Sequence, residues 1–198
     1  MTPHLSRVAD TAPQPWRNGG GSTRELLAWP SATPWQLRLS VADIAADGPF
    51  SVFAGVQRWF AVLQGAGVAL TIDGQAHRQL LGYAPLCFDG AASTDCRLLD
   101  GPTQDLNLML RQCSGGLLPA LTGQSWQPPG AVCGLFARSA GQCHITPTHG
   151  TEPSTLAVPA MALLWFDGAP ARLGWQPAAP DTLPQAWWLW AATERPGP

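Results

Sequence analysis

The sequence predicts an all-β protein, and three observations carry that prediction. Asp is followed by Gly five times, at Asp47, Asp73, Asp89, Asp100 and Asp167, each pair between short apolar or alternating runs. Such pairs supply the positive φ that tight hairpin turns require. No apolar pattern of helical period runs beyond two turns, and 21 Gly with 20 Pro among 198 residues suit a turn-rich body rather than long helices.

Taken in order, the candidate strands begin with 35–41, where Trp35, Leu37, Leu39 and Val41 alternate with Gln36, Arg38 and Ser40. Residues 58–64 follow. VALTI and QAHRQL then flank Asp73-Gly74 and predict a hairpin over 68–80 with a two-residue turn. Further runs lie at 86–88, 97–99, 106–111, 132–137, 162–166 and 186–190. Many short strands at close spacing predict a sandwich or a barrel. A faint repeat adds to this: Leu86-Cys87-Phe88-Asp89-Gly90-Ala91 recurs as Leu164-Trp165-Phe166-Asp167-Gly168-Ala169, and Phe60-Ala61 with Gly65 is echoed by Phe136-Ala137 with Gly141. Two matches of this length leave chance and duplication both open. A Pro-rich stretch at 127–130 falls near the junction between the two units of this repeat.

Composition removes several function classes. The net charge is −2, all eleven basic residues are arginine, and no basic run exists, so the electrostatic footprint of a nucleic-acid or anionic-membrane binder is missing. Five scattered cysteines without a C-x-x-C pair argue against a disulfide framework and a zinc ribbon. They read as buried thiols in a reducing compartment. MTPHLSRVAD has no apolar leader, and the longest apolar run, 160–166, is too short to cross a bilayer. A cytoplasmic protein is expected.

The segment PWRNGGGSTREL, residues 15–26, is the most distinctive. It is not a phosphate loop, because that loop needs a lysine the chain lacks. Gly19, Gly20 and Gly21 either let the backbone approach a ligand, with Asn18 and Arg24 as donors, or form a plain surface turn. Arg38 and Ser40 share one face of their strand, and Asp105, Asn107 and Arg111 share a face opposite Leu106, Leu108 and Leu110. Each polar face suits either solvent or a pocket wall. His4, His77, His144 and His149 form neither H-x-H nor H-E-x-x-H, and Pro147 interrupts the last two, so no metal site is expected. No G-x-S-x-G elbow supports a serine hydrolase. Ten tryptophans, three of them at Trp187, Trp188 and Trp190, suggest a core and a homodimer interface near the final strand.

PWRNGGGSTREL, then Trp35 to Ser40 with Ala42, then DGPFS at Asp47 to Ser51, Gly55 and Arg58, and DLNLMLR at Asp105 to Arg111, together resemble the HutD family, which includes the Ves proteins. The likeness covers residues 15–111; from Cys113 onward it rests on length and strand content. It implies a bicupin, two fused cupin-type β-barrels or jelly rolls, with residues 1–112 as the barrel carrying the pocket and 113–198 as a degenerate second barrel. It further implies a pocket without the usual histidine-rich metal site and without a cofactor, lined by Trp16, Asn18, Thr23, Arg24, Arg38, Ser40, Arg58, Asp105 and Asn107. Arg17 stands where lysine is frequent, and Gln112 where a second arginine is common.

The family's association is with histidine utilisation, where formylglutamate is the suggested ligand and limitation of flux or expression the suggested role. On that basis Arg58, with Arg24 or Arg38, is expected to clamp the carboxylates of a small anionic metabolite, while Asn18 and Asn107 read an amide or formyl group. The rival expectation is a metal-independent isomerase or hydrolase of a small carboxylic acid, with Asp105 as general base.

Overall fold

The computed structural model describes residues 2–147 and 152–193. Nineteen strands follow one another among the described residues. In chain order they are β1 (Pro3–Arg7), β2 (Gln14–Pro15), β3 (Gly21–Trp29), β4 (Leu37–Ile44), β5 (Gly48–Pro49), β6 (Val56–Gln64), β7 (Val68–Ile72), β8 (Gln75–Gln79) and β9 (Leu86–Asp89). They continue with β10 (Thr94–Leu98), β11 (Thr103–Arg111), β12 (Cys113–Pro119), β13 (Ser125–Trp126), β14 (Val132–Ala137) and β15 (Gly141–Thr146). The last four are β16 (Ser154–Val158), β17 (Ala162–Asp167), β18 (Arg172–Pro177) and β19 (Ala186–Thr193). The one helical piece among the described residues is the single 3₁₀ turn Val8–Asp10, and no helix there is long and apolar enough to cross a membrane.

The chain divides into two compact units, one of residues 11–112 and the other of residues 1–10 with 113–198. The sequence expectation placed residues 1–10 in the first barrel. They leave it because β1 pairs antiparallel with β17, Pro3 opposite Phe166 through Arg7 opposite Ala162. The Pro-rich stretch at 127–130 likewise lies inside the second unit, between β13 and β14, and not at the division.

Unit 11–112 holds a six-stranded sheet, β2-β3-β4-β11-β6-β9, and a four-stranded sheet, β5-β10-β7-β8. The other unit holds β12-β19-β14-β17-β1 and β13-β18-β15-β16. Substituting β12, β19, β14 and β17 for β4, β11, β6 and β9, and β13, β18, β15 and β16 for β5, β10, β7 and β8, matches eight strands of each unit, with β2 and β3 added at the β4 edge of one large sheet and β1 at the β17 edge of the other. The units therefore share an eight-strand core order. One of the two sequence echoes is in phase with it, since Phe88 and Phe166 both enter their unit's core cluster. The other is out of phase: Phe60 is in a core cluster, whereas on β14 it is Leu135, not Phe136, that enters the corresponding cluster. A shift of one residue along a strand reverses the face, so that echo is coincidental.

Local chemistry accounts for the elements. Asp73 and Gly74 adopt φ of 45° and 79°, so the expected hairpin closes with Val68 opposite Gln79 and Ile72 opposite Gln75. β4 keeps its alternation, with Leu37, Leu39 and Val41 buried on one face and Arg38, Ser40 and Ala42 on the other. The final strand supplies core: Trp187 and Trp188 are both buried within the chain, and Trp188 stacks on Trp126 at 5.0 Å. These two rings therefore do not furnish the subunit interface expected of them.

The second unit's interior is closely filled, and Gly141 shows how closely. A Cβ there would overlap the Trp175 ring and the Gln176 carbonyl. Gly141→Ala is expected to destabilise the protein by about 1–3 kcal/mol, read as a lower midpoint in guanidinium unfolding.

Candidate functional site

Three adjacent strands of unit 11–112 build the site in rows, because residues opposite one another in a sheet project to the same face. In the outermost row Met109 of β11 stands between Arg38 of β4 and Arg58 of β6. In the next, Asn107 stands between Ser40 and Phe60, and in the third Asp105 stands between Ala42 and Val62. With strands ~4.8 Å apart, the Arg38 and Arg58 backbones are about 10 Å from each other. That spacing suits two ends of one small molecule.

These rows form the floor of a cavity of about 490 Å³, within the range of small-molecule sites. Its rim comes from the Pro15 to Asn18 segment and its far wall from the loop between β5 and β6, with Phe50, Ser51 and Phe53. Three arginines, Arg17, Arg38 and Arg58, line it, and no carboxylate does. Seven of the nine expected residues are present in the lining: Trp16, Asn18, Thr23, Arg38, Ser40, Arg58 and Asn107.

Arg58 is the unusual member. It is only 6% exposed, and among the described residues it has no salt-bridge partner. Its one hydrogen bond runs from Nη1 to the Ser51 carbonyl at a long 3.5 Å, and its Nε finds no acceptor. The guanidinium instead lies 5.0, 5.1 and 5.9 Å from the ring centres of Phe50, Phe88 and Phe53, whose π faces attract a cation. Desolvation, with the nearby charge of Arg38, lowers its pKa to about 10. It stays charged at neutral pH.

The aromatic wall is fixed. Phe50 N–H donates to Thr94 O at 2.8 Å and Phe53 N–H to Gly90 O at 2.7 Å, while a Cβ on Gly90 would press on the Phe53 and Val56 carbonyls at 2.7 Å. Trp16 donates from Nε1 to Thr23 Oγ1 at 2.7 Å and meets Phe50 edge-on at 6.4 Å. The glycines serve this arrangement and are not themselves in the cavity lining. Gly19 turns the chain at φ 71°, and Gly21 passes so close to β4 that a Cβ would overlap the Asp43 carbonyl and sit 3.2 Å from the Trp16 ring. Asn18 Oδ1 accepts the Gly20 N–H at 3.1 Å, which leaves its amide nitrogen at the rim.

Two expected residues do not line the cavity. Arg24 sits opposite Val41 in the sheet, on the face away from Thr23, and its guanidinium pairs with Asp43, which also accepts from Ser22 and Gln104. The expected clamp of Arg24 with Arg58 is therefore not formed; of Arg24 and Arg38, it is Arg38 that shares the cavity with Arg58. Arg111, grouped by parity with Asp105 and Asn107, is not in the lining either and lies over the Trp35 ring at 4.5 Å. Sequence reading also passed over Phe50, Phe53, Phe88 and Met109, although Phe50 belongs to the DGPFS motif. Glu25 was missed as well: it stands opposite Ser40 and accepts from Arg38 Nε at 2.5 Å.

Asp105 is fully buried beneath the cavity. Its Oδ2 accepts from Thr103 Oγ1 at 2.8 Å and its Oδ1 has no partner, nor has the Oδ1 of Asn107 in the row above. Burial pushes its pKa up to about 8, with the Asp43 charge adding to the rise and the Thr103 bond opposing it. A carboxyl so placed is mostly protonated at neutral pH and lies outside the cavity lining, so it does not reach the cavity as the general base expected of it would. No three His, Cys, Asp or Glu side chains converge among the described residues; His149 lies outside them.

Because the folded pKa of Asp105 is raised, its proton stabilises the fold at low pH, and that contribution falls away as pH climbs from about 4 through about 8. Asp105→Asn preserves the shape and the acceptor for Thr103. The variant is expected to lose less thermal stability than the parent between pH 5 and pH 9, a difference that calorimetric scans across that interval would register; identical pH slopes would refute it.

The HutD family model matches residues 8–173. An uncharacterised 21.2 kDa protein from the hutC 3′ region of Pseudomonas putida is 43% identical over 107 residues, 53% of this chain and 56% of that one. The aligned part thus spans about half the length of this curated relative. HutD from Pseudomonas fluorescens superposes with a TM-score of 0.82 at 26% identity, covering 98% of this chain and 100% of that one. A Bacillus subtilis oxalate decarboxylase gives a TM-score of 0.66 at 8% identity over 96% of this chain and 76% of that one, a likeness of fold alone. With a family match over most of its length and this cupin-type fold, the chain belongs to the HutD family, which is associated with histidine utilisation.

Proposed function

We propose that this protein binds a small carboxylate metabolite of the formylglutamate type in the Arg58 cavity, and acts in histidine utilisation as a regulatory or flux-limiting protein in the cytoplasm. The observation that carries the reading is a cavity lined by three arginines and no acid, with a buried guanidinium that has no carboxylate of its own. A ligand carboxylate would supply the missing acceptor for Arg58, at the Nε edge now without one. Arg38 lines the cavity across Met109, and the unpartnered Asn107 Oδ1, one row further along β11, suits an amide N–H. Asn18 at the rim suits a carbonyl or formyl oxygen. Two charge-assisted contacts of about 1.5–3 kcal/mol each correspond to dissociation constants from roughly millimolar to tens of micromolar. That is a range suited to sensing a metabolite.

Calorimetric titration with N-formylglutamate, urocanate and glutamate tests the reading, and absence of heat for all three at millimolar ligand would sink it. NMR of the same mixtures separates holding from turnover, since line broadening without product marks a binder. Arg58→Met is expected to weaken binding at least about tenfold while raising stability by about 1 kcal/mol or more, because an apolar chain replaces an uncompensated buried cation. Arg24→Ala, altered on the far face, is expected to change binding less than about twofold.

A further inference from the structure

Resting on the carboxylate reading above, the geometry points to Glu25 as the residue that sets how many carboxylates the cavity accepts. Glu25 is the acid of this site, held just outside the lining. Its Oε2 takes the Arg38 Nε hydrogen at 2.5 Å, in the position relative to Arg38 that a ligand's second carboxylate would seek. Among the described residues Arg38 makes no other salt bridge, and Arg58 makes none. The two arginines facing each other across Met109 are therefore unequal: one is already neutralised from within the chain, the other is bare.

The backbone is built to hold this arrangement. A β-bulge lies between Glu25 and Leu27, where Leu26 is the extra residue of β3. Before the bulge Thr23 and Glu25 stand opposite Ala42 and Ser40, on the cavity side of the sheet; after it Leu27 stands opposite Leu39, on the other side. Regular alternation would have carried Leu27 to the cavity side. The bulge lets β3 present an acid to Arg38 and then return its leucine to the buried face, and such irregularities commonly re-aim a side chain beside a site.

It follows that a monocarboxylate needs only Arg58, whereas a dicarboxylate whose second carboxylate reaches across Met109 to Arg38 must draw it away from Glu25 or share it. Glu25 is thus a specificity-determining residue that opposes the second carboxylate. Glu25 and Arg38 side chains are 30% and 19% exposed, so solvent screens the pair and the effect is modest.

Glutarate and butyrate, which share a carboxylate and an alkyl chain of similar length and differ in the second acid, are the probes, titrated by calorimetry into the full chain and into Glu25→Gln. Glutamine keeps the size and an acceptor for Arg38 but removes the charge. The expected result is a glutarate affinity raised roughly three- to fivefold in Glu25→Gln, with butyrate changed less than about twofold. Equal changes for both acids, no change, or weaker glutarate binding would overturn the inference while leaving the carboxylate site standing. Failure of both acids to bind either protein would overturn the inference together with the reading on which it rests.

Discussion

Arg58 carries a full positive charge where little water reaches it, and among the described residues no side chain of opposite charge answers it. A buried ion without a partner costs several kcal/mol in lost hydration, and much of the surrounding architecture offsets that cost. Three phenylalanines surround the guanidinium, each held by a different piece of chain: Phe88 by its pairing to β6, Phe50 and Phe53 by hydrogen bonds from the β5–β6 loop to Thr94 and Gly90. Trp16 leans on Phe50 and is fixed by Thr23. The glycine-rich segment lets Trp16 reach that position, since Gly21 passes where a side chain would collide with β4. The cavity, its aromatic wall and its rim are thus organised around one unsatisfied cation.

The two units make the same point by contrast. They share an eight-strand order, but the unit with the cavity adds β2 and β3, which bring Trp16, Asn18 and Thr23 to its rim. In unit 11–112 the interior faces of β4, β11 and β6 carry Arg38, Ser40, Asn107, Met109 and Arg58. In the other unit the core faces of β12, β19 and β14 carry Leu118, Trp188, Trp190, Cys133 and Leu135, and Trp126 stacks on Trp188. Indole rings fill that interior; arginines and amides leave the first one open. Several of the chain's ten tryptophans are therefore plugs rather than contact surfaces.

How much of this was legible in the sequence depended on whether the signal was local. Asp73-Gly74 dictates its own hairpin, and the alternation from Leu37 to Val41 already divides buried from cavity faces. Pairing between distant strands leaves no such trace. Nothing in PHLSR announces that it will join β17 rather than its neighbours in sequence. Arg24 and Arg38 look equivalent as isolated arginines in polar-apolar runs, yet one faces Asp43 outside and the other the cavity. The difference is fixed by register and by a bulge at Leu26, both of which exist only once β3 and β4 are paired. The aromatic wall was hidden for the same reason: Phe50, Phe53 and Phe88 are separated in sequence and meet only around Arg58.

Asp105 tests whether the site is coherent as an anion binder, because an acid two rows beneath Arg58 would at first sight defeat it. An ionised carboxylate there would oppose any incoming anion through a medium of low dielectric. Burial resolves the conflict: with its pKa raised to about 8, the group holds its proton at neutral pH and contributes shape and a hydrogen bond from Thr103 instead of charge. Arg38, Arg58 and Arg17 are then the charged groups in the lining, with Glu25 tempering one of them from outside it. The same burial that keeps the proton on Asp105 keeps the field of the cavity positive. An ionised Asp105 would make a poorer anion site, so the proton that burial retains is what lets this row of β11 lie beneath two arginines without cancelling their field.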